Sequence, residues 1–241
     1  MNYPQYILDT IFPIKCLECG KLSSPKPEYL CKPCLRKIPI KKVFECIGCK
    51  STVPLGKTCF KCRKNNHIDQ LLAIYDYRDK SIIRAIKTLK YRFVADIAQN
   101  LAFSIRKYVS WLNSEKKFNI IDENPVIIPL PLYYRRLNWR GFNQAELIAN
   151  SLAVSVQSDI KPNLLIRVAA SKPQAEIEER EERLKNLRKD TFKIRGEDEI
   201  KNKTIVLVDD VCTTGATLNE CARVLKEAGA VKVIGFVIAR G

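Results

Sequence analysis

Apolar and polar positions fall into blocks whose period changes along the chain. At Val94, Ile97, Ala98, Leu101, Ala102, Ile105, Tyr108, Val109 and Leu112 the apolar residues recur every three or four positions, which predicts a helix lying on a sheet. Lys80 to Leu89 predicts a shorter helix before it, and LLAIYDY a strand before that. Val126 to Leu130 is a short apolar run ended by prolines, the pattern of a buried strand. In RGFNQAELIANSLA, Asn143 followed three residues later by Glu146 forms a capping box for a helix with Ala145, Ile148, Ala149 and Leu152 inside. Further strands are predicted at Leu164 to Val168, Thr204 to Asp210 and Val231 to Ile238, with a helix from about Ala216 to Ala228 capped by Gly229. Repeated β-α-β order with buried strands predicts an α/β fold, a mainly parallel sheet with helices on both faces. In such sheets ligands gather beyond the carboxyl ends of the strands.

This alternation begins at about Asp69, and what precedes it follows a different rule. Eight of the ten cysteines form four CxxC pairs: Cys16 and Cys19, Cys31 and Cys34, Cys46 and Cys49, Cys59 and Cys62. Two thiols three positions apart present adjacent ligands to one tetrahedral ion, and nothing in the chain points to the oxidising compartment a disulfide framework needs. Two structural zinc ions are therefore expected. Four pairs can combine into two sites in three ways, and intervening stretches of 11, 11 and 9 residues do not choose among them; sequential pairing is the simplest. With only cysteine as ligand no position is left for water, so the metal is expected to stabilise a module too small to hold itself together by core burial. The expected division is a zinc-ribbon module at 1–68 and an α/β domain at 69–241. His67 reads as a surface residue and is left unassigned.

Charge adds a second theme. The formal balance is +16, and falls to about +12 if eight thiolates hold two zinc ions. That excess suits a partner rich in phosphate, although a solubilising surface would also account for it. Lys32, Arg36, Lys37, Lys41, Lys42, Lys50, Lys57, Lys61, Arg63 and Lys64 lie among the cysteine pairs with Phe44 and Phe60. Such residues can bind phosphates and stack on bases; offsetting the thiolate charge is the competing account. The chain has no apolar run long enough to span a bilayer, and MNYPQYILDTIFPIKC lacks the basic start and long apolar core of a signal peptide, so a cytoplasmic protein is expected.

The densest chemistry lies in IVLVDDVCTTGATL. Asp209 and Asp210 stand at a strand end, followed by a Thr-Thr-Gly turn and a helix start. The hydroxyls of Thr213, Thr214 and Thr217, the bare backbone of Gly215 and the N–H groups from Ala216 onward can hold a phosphate, while the two carboxylates can accept from neighbouring ribose hydroxyls. One segment thus has the groups to hold a ribose 5-phosphate. Neither GxxxxGK[ST] nor GxGxxG occurs, against a Walker-type or dinucleotide site. Cys212 and Cys221 read as packing residues.

That segment resembles the phosphoribosyl pyrophosphate motif of type I phosphoribosyltransferases. With the CxxC pairs, KTLKYR, PLPLYYRRLNWRGFNQAE and the spaced Gln174, Arg183 and Asn186, the chain as a whole resembles the ComF family. The resemblance implies a type I phosphoribosyltransferase-like domain behind a double zinc ribbon, binding phosphoribosyl pyrophosphate with Mg²⁺. By position it implies a pyrophosphate loop in PLPLYYRRLNWRG, with Arg135, Arg136 and above all Arg140 as donors and Lys87 and Lys90 nearby. It implies a closing loop between about Arg167 and Lys189 that includes Arg183. Asp209, Asp210 and Arg140 would be the catalytic residues. It further implies a role in handling incoming single-stranded DNA during natural transformation, with a competence-pathway helicase as a candidate partner; transfer to an unknown acceptor, or ligand sensing without reaction, are the alternatives.

Overall fold

The computed structural model describes residues 14–22, 29–91, 97–115, 124–168 and 191–241. Four parallel strands form the central sheet: β1 (Gln70–Asp76), β2 (Val126–Pro129), β5 (Thr204–Cys212) and β6 (Lys232–Arg240), in the order β1-β6-β5-β2. The two central strands run in register with Ile205 opposite Val233 and Val208 opposite Phe236. Their middle stretches, Ile205 to Val208 and Val233 to Ala239, carry no polar side chain because both faces are covered, as expected of a parallel sheet.

Strand alternation sorts the core into two layers. On one face Leu72, Ile74, Val206, Val208, Ile234, Phe236 and Ile238 pack under helices α3 (Lys80–Tyr91), α4 (Ile97–Glu115) and α6 (Gln144–Val156). These helices turn inward Ile82, Ala85, Ile86 and Leu89, then Leu101, Ile105, Tyr108 and Leu112, then Ile148, Leu152 and Val156, the spacing the sequence shows. Each large side chain buried in this way stabilises by about 1.5–3 kcal/mol. Asp79 begins α3, its carboxylate accepting from Ser81 N and Ile82 N, and Asn143 begins α6 by accepting from Ala145 N. On the other face Leu71, Ala73, Ile205, Leu207, Val233 and Val237 pack against α7 (Ala216–Glu227) and a two-stranded ribbon of β3 (Leu165–Arg167) and β4 (Phe192–Ile194). The strand expected at Leu164 to Val168 therefore exists, but it pairs antiparallel with β4 outside the parallel sheet.

The cysteine-rich segment wraps this sheet. Its first part, with the short helix α1 (Lys32–Lys37), buries Leu30, Leu35, Ile38 and Phe44 against the α3 and α4 layer, where Phe44 stacks on Trp111 with ring centroids 5.7 Å apart. The chain then crosses the free edge of β1, Lys41 N donating to Ile74 O and Lys57 pairing with Gln70. An exposed strand edge is thereby closed to other chains. Beyond it, with a second short helix α2 (Phe60–Arg63), Ile47 and Ile68 join the α7 layer. The two halves of the segment thus lie on opposite faces of one sheet.

Candidate functional site

The carboxyl end of β5 gathers most of the residues expected to act together. Alternation sends Asp210 toward α3 and Asp209 toward α7. Asp210 is buried, and Lys90 near the end of α3 stands with its Nζ 3.0 Å from Asp210 Oδ2. A carboxylate oxygen with one cation beside it keeps acceptor capacity for a hydroxyl or a second cation. Burial works to discharge Lys90, but the charges of Asp210 and Asp209 outweigh it and hold its pKa above the ordinary value. Asp209 follows the opposite balance: desolvation, then the neighbouring charge of Asp210, push its carboxyl up to about 7 against the pull of Lys90. Its Oδ1 accepts from Asp210 N at 2.8 Å.

Three residues on, the backbone turns into α7. Gly215 has φ +79°, a left-handed value, and Thr214 Oγ1 accepts from Ala216 N at 3.3 Å. Thr213 is exposed, and Thr214, Ala216 and Thr217 are half-buried. The helix dipole and the first amides of α7 favour an anion at this point.

The basic stretch after β2 is partly helical, α5 (Tyr134–Arg140). Arg136 is exposed on it and lies close enough to lower the pKa of Arg167 at the end of β3, after desolvation; Asp209 acts on Arg167 in the other direction. Arg140 is turned inward instead, buried and donating to Gln144 Oε1 at 3.0 Å. Lys87 is exposed on α3. Arg183, with Gln174 and Asn186, lies outside the described residues. The acids, the threonine turn and Lys90 therefore converge, with Arg167 close to Asp209 and Arg136 close to Arg167.

Residues 96–241, more than half the chain and including β5 and its turn but not Lys90, match the phosphoribosyl transferase domain family. The chain belongs to that family. The phosphoribosyltransferase domain and its cysteine-rich extension are also similar as one unit to curated proteins. The chain is 28% identical over 232 residues to Competence protein F of Haemophilus influenzae, covering 95% of this chain and 98% of that one. It is 29% identical over 221 residues to Competence protein ComFC of Bacillus subtilis, covering 88% and 85%. It is 28% identical over 215 residues to DNA utilization protein YhgH of Salmonella typhi, covering 88% and 90%. The likeness to ComF proteins thus extends over most of the chain, and no described helix is long and apolar enough to cross a membrane.

Outside the phosphoribosyltransferase domain, the cysteines resolve into two groups, Cys16, Cys19, Cys31 and Cys34, and Cys46, Cys49, Cys59 and Cys62, with ligand atoms in each within 4.8 Å of one another. Sequential pairing is what the fold adopts. Cys19 Sγ and Cys31 Sγ are 3.9 Å apart, Cys49 Sγ and Cys59 Sγ 3.7 Å. Four sulfurs around one zinc lie about 3.8 Å apart, whereas a disulfide needs about 2.05 Å, so both groups fit zinc. In each, a backbone N–H of the third cysteine donates to the sulfur of the first at 3.4 Å. Ser51 holds the Cys49 thiol down at about 6 through its hydroxyl and backbone, which favours the thiolate a metal requires.

Two residues of this region escaped the reading of the sequence. Arg167 falls within a predicted strand and at the start of the implied closing loop, and a single arginine after LLI carries no motif that would assign it to the site. Arg240 ends an apolar strand, and only the register, which sets it opposite Cys212, brings it to the turn.

Proposed function

We propose that this chain binds phosphoribosyl pyrophosphate, or a related ribose 5-phosphate ligand, together with Mg²⁺, at the carboxyl end of β5. The observation that supports this most directly is the continuity of two carboxylates, a threonine turn and a helix N-terminus, with Lys90 and Arg167 flanking the acids. Thr213, Thr214, Gly215, Ala216 and Thr217 take the 5-phosphate. Asp209 and Asp210 accept from the ribose hydroxyls, one from each side of the strand end. Arg136 reaches the pyrophosphate, Arg183 and Lys90 add charge, and Arg140 acts from its buried position beside Gln144. Mg²⁺ supplies charge neutralisation for the pyrophosphate when bound. Calorimetric titration of phosphoribosyl pyrophosphate with Mg²⁺ into the wild type and Asp210→Asn tests this: binding abolished by the substitution supports it, and no binding by the wild type overturns it.

The cellular role we assign is the handling of single-stranded DNA in the cytoplasm during natural transformation, with a competence helicase as partner. The names of the curated relatives support it, and so do two exposed patches. On α5, Tyr134, Leu137 and Trp139 are exposed beside Arg135 and Arg136, and Phe60 is exposed beside Lys61, Arg63 and Lys64. Aromatic rings among cations suit a single strand. Binding of a labelled oligothymidine that weakens steeply with added salt, and weakens further in Trp139→Ala, would support this role; salt-independent binding, or none, would refute it. Release of pyrophosphate on addition of an acceptor base or amine would identify turnover as well.

A further inference from the structure

The second cysteine cluster and the proposed ligand turn meet at one point. Arg240, buried at the end of β6, donates from Nη1 to Thr213 O at 2.9 Å and from Nη2 to Ile47 O at 2.7 Å. Ile47 sits inside the Cys46 to Cys49 knuckle, and its side chain lies directly behind the turn. A Cβ built on Gly215 would stand 2.8 Å from Ile47 Cγ1. A second tie joins the first turn of α7 to the far arm of the same cluster: Asn219 Oδ1 accepts from His67 N at 2.6 Å, and Asn219 Nδ2 donates to Asn65 O at 3.2 Å. Asn66 Nδ2 in turn donates to Cys62 O at 2.9 Å. Both arms of the knuckle thus touch the turn or the helix it opens. The first cluster makes its packing contacts on α3 and α4, across the sheet.

From these contacts we infer that the second cluster, when it holds zinc, sets the shape of the ligand turn, and that Arg240, Ile47 and Asn219 are positioning residues for the site. The inference rests on the reading of Asp209 to Thr217 as a ligand site. Its physical basis is that a knuckle of this size has little core of its own, so a tetrahedral ion fixes where the Ile47 carbonyl and side chain stand. Without the ion, Arg240 loses a fixed acceptor and Gly215 its backing. The turn must then be ordered by the ligand itself, which lowers affinity. Linkage requires the converse, that bound ligand tightens metal in the second cluster by the same factor.

The test uses two matched substitutions in the full chain, Cys19→Ser in the first cluster and Cys49→Ser in the second, both at exposed ligands. Zinc content, circular dichroism and the dissociation constant for Mg²⁺ and phosphoribosyl pyrophosphate are measured for each. We expect Cys49→Ser to weaken binding by about tenfold or more and Cys19→Ser to leave it within about twofold. Arg240→Gln, which touches no cysteine, should weaken binding while keeping both zinc ions. Ile47→Val, which keeps the carbonyl and most of the side chain, should restore the affinity that Ile47→Gly loses. Equal effects of the two serine variants, or none from Cys49→Ser, overturn the inference. If the wild type binds no ligand, the reading of the site fails instead. Hydrogen exchange of the amides of 213–219 then decides the coupling alone, with faster exchange expected in Cys49→Ser and Arg240→Gln but not in Cys19→Ser, and uniform exchange refuting it.

Discussion

Two glycines with nearly the same backbone angle give a direct measure of the contact between knuckle and turn. Gly141 has φ +76° and nothing within 4 Å of a built Cβ, while Gly215 has φ +79° and meets Ile47 Cγ1 at 2.8 Å and Cδ1 at 3.0 Å. Alanine at either position carries the left-handed penalty of roughly 1–2 kcal/mol. At Gly215 it also forces a methyl against a fully buried isoleucine, an overpacking cost of about 1–3 kcal/mol. Gly141→Ala should therefore cost about 1–2 kcal/mol and Gly215→Ala about 2–5 kcal/mol. Adding Ile47→Ala to Gly215→Ala opens room for the methyl, so the double variant should be more stable than the two single losses summed, by about 1–3 kcal/mol. Urea unfolding of the wild type, Gly141→Ala, Gly215→Ala, Ile47→Ala and the double variant, with zinc present throughout, measures these costs, provided the slope with denaturant is unchanged. If Gly215→Ala costs no more than Gly141→Ala, the close approach of Ile47 to the turn is not a feature of the folded protein and the positioning role assigned to it falls with it.

Other substitutions probe the acids and the core. With a folded value of about 7 against an ordinary value near 4, Asp209 keeps its proton in the folded chain between pH 4 and 7 while the unfolded chain has lost it, so its contribution to stability falls as pH rises through that window. The full shift corresponds to about 4 kcal/mol at pH 8, reduced to about 1–2 kcal/mol by the partial exposure of the residue; Asp209→Asn should be more stable than wild type by that amount at pH 8 and equal to it at pH 4, as measured by denaturation at both values. Lys90→Met leaves the buried Asp210 without its cation and should cost about 2–4 kcal/mol at pH 7 by urea unfolding. Tyr75 donates to Ser104 Oγ at 2.8 Å between β1 and α4, both residues buried, so Tyr75→Phe should lower stability by about 1–2 kcal/mol; no change would show that the two layers are not joined there.

What the sequence determined by itself was whatever depends on neighbours within a few positions. The 3.6-residue spacing of Leu101, Ile105, Tyr108 and Leu112, the cap at Asn143, the unbroken apolar runs of β5 and β6, and the DDVCTTGAT turn are local patterns with local causes. The CxxC spacing belongs with them, since two thiols three positions apart already point to one ion. Tertiary structure decided the rest. Whether consecutive pairs share a metal depends on how stretches of 11, 11 and 9 residues fold back, which no spacing specifies. The ribbon of β3 and β4 left the parallel sheet because its partner lies beyond residues 169–190, and Arg140 turned inward to Gln144 although its neighbour Arg136 faces out. Arg240 meets Ile47 across 193 positions. Strand alternation states which residues share a face but not what arrives on it from the far end of the chain, and the contact between the second cluster and the ligand turn is of that kind.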